Sequence, residues 1–151
     1  MKVNTTINGM KRILDVKPDE YLLDTLRRHN YLSVRRGCDT TSCGVCTILI
    51  DDKPVPSCAF LSVRAEGKRI TTVEGIPKEA EKLSEHFGAT GADQCGFCNP
   101  GIALSVYALK KSQKKVTAET LKHYLTGHLC RCTGYQSQHK AIKEYLGDSN
   151  E

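Results

Sequence analysis

The sequence predicts an α+β protein built in two parts, and three features carry that prediction. Apolar residues alternate with period two through the first half, whereas from Glu74 onward they recur every three or four residues. The eight cysteines divide in the same way: Cys38, Cys43, Cys46 and Cys58 in the first part, Cys95, Cys98, Cys130 and Cys132 in the second. Gly75 and Pro77 punctuate the seam, which places one domain at 1–76 and another at 77–151. Domains this small bury little surface, so a metal centre in each would add stability that burial cannot supply.

In the first part, Val3, Thr5 and Ile7 alternate ahead of Asn8-Gly9, and Ile13, Leu14 and Val16 follow it. Asn-Gly is a favoured two-residue turn, so 2–16 reads as a hairpin. Pro18-Asp19 opens a short helix with Leu22, Leu23 and Leu26 on one face; it closes near Arg27-Arg28-His29, where cations meet the negative end of the helix dipole. Gly37 and the three cysteines after it lie in a stretch rich in Gly, Thr and Ser, which reads as a loop around something. Residues 47–50 form a strand, Asp51-Asp52-Lys53 its turn and 55–58 the return, so Cys58 faces back toward the loop; 70–73 completes the sheet.

In the second part, a helix carries Ala80, Leu83 and Phe87 and stops at Gly88. The next takes Asn99 as N-cap and Pro100 at its first position, with Ile102, Val106 and Leu109 inward. A third starts at Thr117 and presents Leu121, Tyr124 and Leu125, and a fourth runs from about Gln136 with His139, Ile142 and Leu146 aligned. Four short helices imply a small four-helix bundle. Its cysteines lie at the joints, which can meet at one end of a bundle.

Composition narrows the function. With 39% hydrophobic and 26% charged residues the chain reads as a globular protein rather than a disordered one. Neither a signal-peptide core nor a membrane-length apolar run occurs, which predicts a cytoplasmic protein with no membrane partner. In a reducing compartment eight cysteines are metal ligands or redox centres rather than disulfides. The formal charge is +5, but two oxidised [2Fe-2S] cores with their thiolates, at about −2 each, bring the loaded protein to roughly +1. The lysine run Lys110, Lys111, Lys114 and Lys115 has no aromatic residues among it and reads as a solvated helix end, not a nucleic-acid surface.

The cysteine spacings carry the chemistry. C-x4-C-x2-C with a distant fourth cysteine is the spacing by which a plant-type ferredoxin loop wraps a [2Fe-2S] cluster. Each iron takes two bridging sulfides and two thiolates, so two pairs of sulfurs are needed. Gly37, Gly44 and Gly96 beside the ligands allow tight turns that aim amides at sulfur. Structural zinc also takes four thiolates; it suits the first group poorly, while C-x2-C with C-x-C in the second leaves it open. A Rieske centre needs histidines in C-x-H and C-x2-H strings, which are absent. His123 and His128 fall near the second group and read as surroundings rather than ligands, and Gln94 reads as a polar loop residue before Cys95. No nucleotide-binding, nucleophile-elbow or H-E-x-x-H motif is present, and no residue stands out as catalytic. The chain reads as an electron relay inside a larger enzyme; a stand-alone ferredoxin-type carrier or redox-sensing module is the alternative.

The strings GCDTTSCGVCTILIDDKPVPSC, QCGFCNPG and LCRCTGY, which hold all eight cysteines, resemble the iron-sulfur subunit of the molybdenum hydroxylases, the xanthine dehydrogenase and aldehyde oxidoreductase family. The resemblance spans nearly the whole chain. It implies a β-grasp, plant-type ferredoxin-like domain followed by a four-helix bundle, each with one [2Fe-2S] cluster, and so iron at the second site. In that family a large subunit binds a molybdopterin cofactor and oxidises the substrate with water as oxygen source, and a medium subunit usually binds FAD. The resemblance places Gln94 and Cys132 where the molybdopterin is touched and turns the ferredoxin-like cluster toward the flavin. It also implies a dimer of heterotrimers. Thr41 in place of glycine, Asn99 in place of threonine and an unusually polar stretch at 136–140 depart from the family pattern.

Overall fold

The computed structural model describes residues 1–112 and 116–147. Strand β1 (Lys2–Ile7) turns at Asn8-Gly9 into β2 (Met10–Asp15), and both turn residues take positive φ, 51° and 80°, as a tight primed hairpin turn requires. Val3 stands opposite Leu14. The predicted alternation holds on β1, where Val3, Thr5 and Ile7 are buried. On the return, Leu14 and Val16 point inward and Ile13, one register off, is 63% exposed.

Helix α1 (Leu22–Arg28) sets Leu22, Leu23 and Leu26 against Val3, Ile7, Ile48 and Ile70. A buried contact of 2.7 Å between the Thr25 and Ser62 hydroxyls ties it to the turn at Ser62–Ala65. Strand β3 (Thr47–Ile50) passes through Asp51-Asp52, again with positive φ, into β4 (Lys53–Pro56). Cys58 lies past the end of β4 in a 3₁₀ turn, Ser57–Ala59, rather than on the strand itself.

Strand β5 (Arg69–Thr71) enters the middle of the sheet rather than its edge. The order is β2-β1-β5-β3-β4, with β5 parallel to β1 and antiparallel to β3. Every residue of β3 is buried because both faces are covered. Ile48 and Ile50 join the core under α1, while Leu49 packs on Ile76, Leu104 and Ala108.

Leu104 and Ala108 belong to α3 (Asn99–Lys111), so the helical half supplies the second cover of the sheet. Its other side carries Ile102, Val106 and Leu109 into a core with Leu83, Phe87, Leu121 and Ile142. A helix covered on two sides must be apolar around most of its circumference, and α3 buries eight residues.

Helix α2 (Pro77–Thr90) runs through Gly88, where the sequence predicts its end. A glycine inside a helix costs only about 1 kcal/mol relative to alanine. The stop comes at Gly91 (φ 72°), where the Gly91 and Ala92 amides return to the Gly88 and Phe87 carbonyls. Asn99 is the first residue of α3 and not its cap; Cys98 holds the cap position, and the Asn99 amide donates instead to Asp93 at 3.0 Å. Helix α4 (Ala118–Tyr124) is capped as expected, with Thr117 Oγ1 accepting from the Thr120 amide at 3.1 Å. Helix α5 (Gln136–Leu146) lies along α2 and buries Gln138, Ala141, Ile142 and Tyr145. The predicted face is thus rotated, with His139 and Leu146 only half-buried.

Two of the lysines expected to be solvated are paired. Lys110 reaches Glu79 at 2.9 Å and its ammonium sits 4.3 Å over the Tyr145 ring, while Lys111 meets Asp52 of the β3–β4 turn at 3.2 Å. Lys114 and Lys115 lie outside the described residues. Among the described residues, no helix is long and apolar enough to cross a membrane.

The Tyr145 hydroxyl also donates to Glu79, so one carboxylate joins α2, α3 and α5. We predict that Tyr145→Phe lowers stability by ~1–2 kcal/mol, because the ring is kept and a charge-assisted bond is lost. Ile13→Ala, on the exposed face of an edge strand, should change it by less than ~0.5 kcal/mol. Anaerobic denaturant unfolding of cluster-loaded protein compares the two, and equal effects would remove the role given to Glu79.

Candidate metal centres

The first four cysteines come from the loop between α1 and β3 and from the turn after β4. Thr41 and Gly44 take φ of 59° and 72°, which wraps the loop tightly. The amide of Cys43, with those of Thr40 and Ser42, points at the Cys38 sulfur and holds its thiol down at about 6. Burial pushes Cys58 up to about 11, with the neighbouring Cys46 thiol acting in the same direction. The second four come from the α2–α3 loop and the α4–α5 loop. Burial pushes Cys98 up to about 11, and Cys130 beside it adds to the rise.

All eight cysteines are free, and their sulfurs approach in twos. Cys38 has Cys43 as a thiol neighbour and Cys46 has Cys58; Cys95 likewise neighbours Cys132, and Cys98 neighbours Cys130. Two pairs per group is the donor set that a [2Fe-2S] core uses, two thiolates to each iron. A mononuclear zinc site needs four donors around one point.

The two groups differ in exposure. In the first, Cys43 and Cys46 are buried and Cys38 and Cys58 partly so. In the second, Cys98 is buried and Cys130 half-buried, but Cys95 and Cys132 reach the surface. Gln94, Phe97 and Leu129 are exposed beside them. One end of the second group is therefore open.

The groups are close neighbours. The Leu129 amide, next to Cys130, donates to the Cys43 carbonyl at 2.9 Å, and one cavity is lined by Cys43, Cys95, Cys98 and Cys130. Arg35 donates to the Gly96 carbonyl at 2.6 Å and stacks over Phe97 at 5.3 Å. Gly44 presses on Gly127, and Gly101 of α3 presses on the Gly44 and Val45 carbonyls.

His128 lies elsewhere than its sequence position suggests. It is buried against the first loop, 2.8 Å from the Ser105 hydroxyl, in a cavity also lined by Cys46 and Cys58. Burial lowers its pKa to about 4, so it is neutral at pH 7. His123 is exposed. Gln138 belongs to no ligand motif of the sequence, yet its amide nitrogen stands 3.4 Å from Cys98 Sγ. The available signal was a polar residue one helical turn before Ala141 and Ile142, on an otherwise apolar face. The Thr133 hydroxyl stands 3.2 Å from Cys130 Sγ.

Family models match along almost the whole chain: a 2Fe-2S iron-sulfur cluster binding domain over residues 5–73 and a [2Fe-2S] binding domain over residues 72–143. The chain is 41% identical over 138 residues to the xanthine dehydrogenase iron-sulfur-binding subunit of Escherichia coli O157:H7, covering 89% of this chain and 87% of that one. It is 37% identical over 144 residues to the nicotinate dehydrogenase small FeS subunit of Eubacterium barkeri, covering 93% and 92%. Its fold superposes on a chain of quinoline 2-oxidoreductase from Pseudomonas putida 86 with a TM-score of 0.90 at 36% identity, covering 98% and 94%. Against the aldehyde oxidoreductase of Desulfovibrio desulfuricans ATCC 27774 the TM-score is 0.89 at 34% identity, with 97% of this chain matching 17% of that much longer one.

Two glycines test the packing at the first loop. A Cβ on Gly44 would lie 2.2 Å from the Gly127 carbonyl oxygen at a positive φ, whereas one on Gly88 meets nothing within 4 Å. We predict that Gly44→Ala destabilises the protein by more than ~1 kcal/mol and lowers its iron content. Gly88→Ala should stabilise by ~0.5–1 kcal/mol. A Gly44→Ala protein with normal iron and normal unfolding would refute the close approach.

Proposed function

The chain belongs to the iron-sulfur subunits of the xanthine dehydrogenase and aldehyde oxidoreductase family, the molybdenum hydroxylases, and from that premise we propose that it relays electrons between a molybdenum centre and FAD held by partner subunits. Residues 1–76 form a β-grasp ferredoxin-like domain and 77–151 a helical domain of four-helix-bundle type. Cys38, Cys43, Cys46 and Cys58 hold one [2Fe-2S] cluster, and Cys95, Cys98, Cys130 and Cys132 hold the other. The observation that carries this reading is the approach of eight thiols in four pairs, with the two groups joined through Leu129 and Cys43.

When bound, each cluster supplies a centre that takes one electron at a time. The chain's own part is placement. Amides around Cys38 and side chains around Cys98 and Cys130 stabilise negative charge on sulfur, and burial of Cys43, Cys46 and Cys98 keeps water from them. The open end at Cys95 and Cys132, with Gln94, faces the molybdopterin of a large subunit, and the exposed loop 39–42 faces the FAD of a medium subunit. The apolar side chains of Phe97 and Leu129, 43% and 51% exposed, fit a covered protein interface better than a diffusing carrier. No substrate site belongs to this chain, and the assembly is a dimer of heterotrimers.

Anaerobically purified protein should hold about four irons and about four sulfides per chain and give two paramagnetic signals on reduction. Cys46→Ser should remove one signal and Cys98→Ser the other, and stoichiometric zinc would overturn the assignment. In the assembled enzyme, Cys43→Ser should leave the second cluster reducible by substrate while flavin reduction slows by orders of magnitude. Cys130→Ala should block rapid reduction of both the first cluster and the flavin. Anaerobic stopped-flow absorbance reads the order, and normal flavin reduction in the Cys130→Ala enzyme would exclude this path.

A further inference from the structure

We propose that Gln138 is a positioning residue of the second cluster, whose side-chain amide donates to the Cys98 sulfur and raises that cluster's reduction potential above what the apolar pocket alone would give. The proposal rests on the assignment of Cys98 as a cluster ligand.

Gln138 sits on α5 at 2% exposure, on the face that carries Ala141, Ile142 and Tyr145 into the helical core. A primary amide is a poor choice there unless it is hydrogen-bonded, because removing it from water has no compensation from apolar neighbours. Its nitrogen lies 3.4 Å from Cys98 Sγ, and among the described residues no buried side-chain nitrogen or oxygen lacks a partner. A metal-bound thiolate has no proton to donate, so the amide must present N–H to it.

The direction of the effect follows from charge. Reduction adds one electron to a cluster that is already anionic, so a donor aimed at its sulfur stabilises the reduced state more than the oxidised one. The environment strengthens this. Cys98 is 6% exposed, and water cannot replace the amide if it is lost. Cys95 and Cys132, on the open side of the same group, can be hydrated instead. The donor therefore sits on the more buried pair of sulfurs, where protein groups outweigh water in setting the electrostatics.

The test uses the full chain carrying both clusters. Gln138→Met keeps length and approximate volume and removes the donor; Gln138→Leu is the second variant. In redox titrations followed by electron paramagnetic resonance, each should shift the reduction equilibrium of the second cluster about tenfold toward the oxidised form. For one electron that is about 59 mV to lower potential. The first cluster should not move. In wild-type protein labelled with 15N at the glutamine side-chain amide, pulsed measurements on the reduced second cluster should show a nitrogen coupling that Gln138→Met lacks. Unchanged potentials in both variants, or loss of the second cluster from both, would overturn the proposal, the latter by making Gln138 merely structural. A wild-type protein without a second cluster signal would instead remove the ligand assignment beneath it.

Discussion

The close approach of the first cysteine loop to the helical half is the constraint on which the rest of the structure depends. Gly44 has no side chain, so the loop backbone reaches the Gly127 carbonyl; Gly101 has none, so α3 reaches the loop from the other side. The Leu129 amide then closes on the Cys43 carbonyl. Each contact fixes backbone rather than a flexible side chain. Backbone carries the cysteines, so the separation of the two groups is set as rigidly as the fold permits. Two domains joined by a linker would leave that distance free, and electron exchange between centres depends steeply on it.

The same constraint explains the packing of α3. The helix has to back the loop, cover β3 and face α2 at once, and each role takes a different side of it. Leu104 and Ala108 go to the sheet, Ile102 and Leu109 to the other helices, and Gly101 to the loop. Little of the helix is left for water. Strand β3 is affected in turn, since its Leu49 side would be solvent-facing in a sheet covered on one face only. The hydrophobic core of the first part is thus completed by residues from the second.

Much of this was legible in the sequence because it is local. The Asn8-Gly9 turn, the Leu22–Leu23–Leu26 face and the Thr117 cap each depend on residues a few positions apart, and all three hold. The spacing of Cys38, Cys43 and Cys46 reads as one wrapped loop for the same reason. What was not legible is non-local. The insertion of β5 between β1 and β3 is decided by the whole sheet, and the run of α2 beyond Gly88 by packing that outweighs a weak glycine penalty. Asn99 carries the residue type of a cap but is drawn to Asp93 across the loop. His128 is close to Cys130 in sequence and stands against the other cysteine loop in space, because the Ser105 hydroxyl on α3 fixes its ring there.

Ser105 and His128 illustrate how the interior uses polarity. A buried hydroxyl or amide is costly unless paired, and the net gain from a paired one is small, so stability alone gives little reason to place them there. Direction is what they add. The Ser57 hydroxyl, fully buried, donates at 2.8 Å to the carbonyl of Cys46 and so holds the residue before Cys58 against the residue that shares its thiol pair. The Ser105–His128 pair fastens the helical half beside Gly44, and the Gln138 amide meets Cys98. Two of these three buried polar contacts end on a cysteine, and the third lies against the first cysteine loop. Apolar packing is tolerant of small displacements, whereas a hydrogen bond weakens steeply with distance and angle. A protein that must hold sulfurs in fixed pairs therefore gains more from a few buried polar contacts beside them than from the methyl groups that could fill the same space.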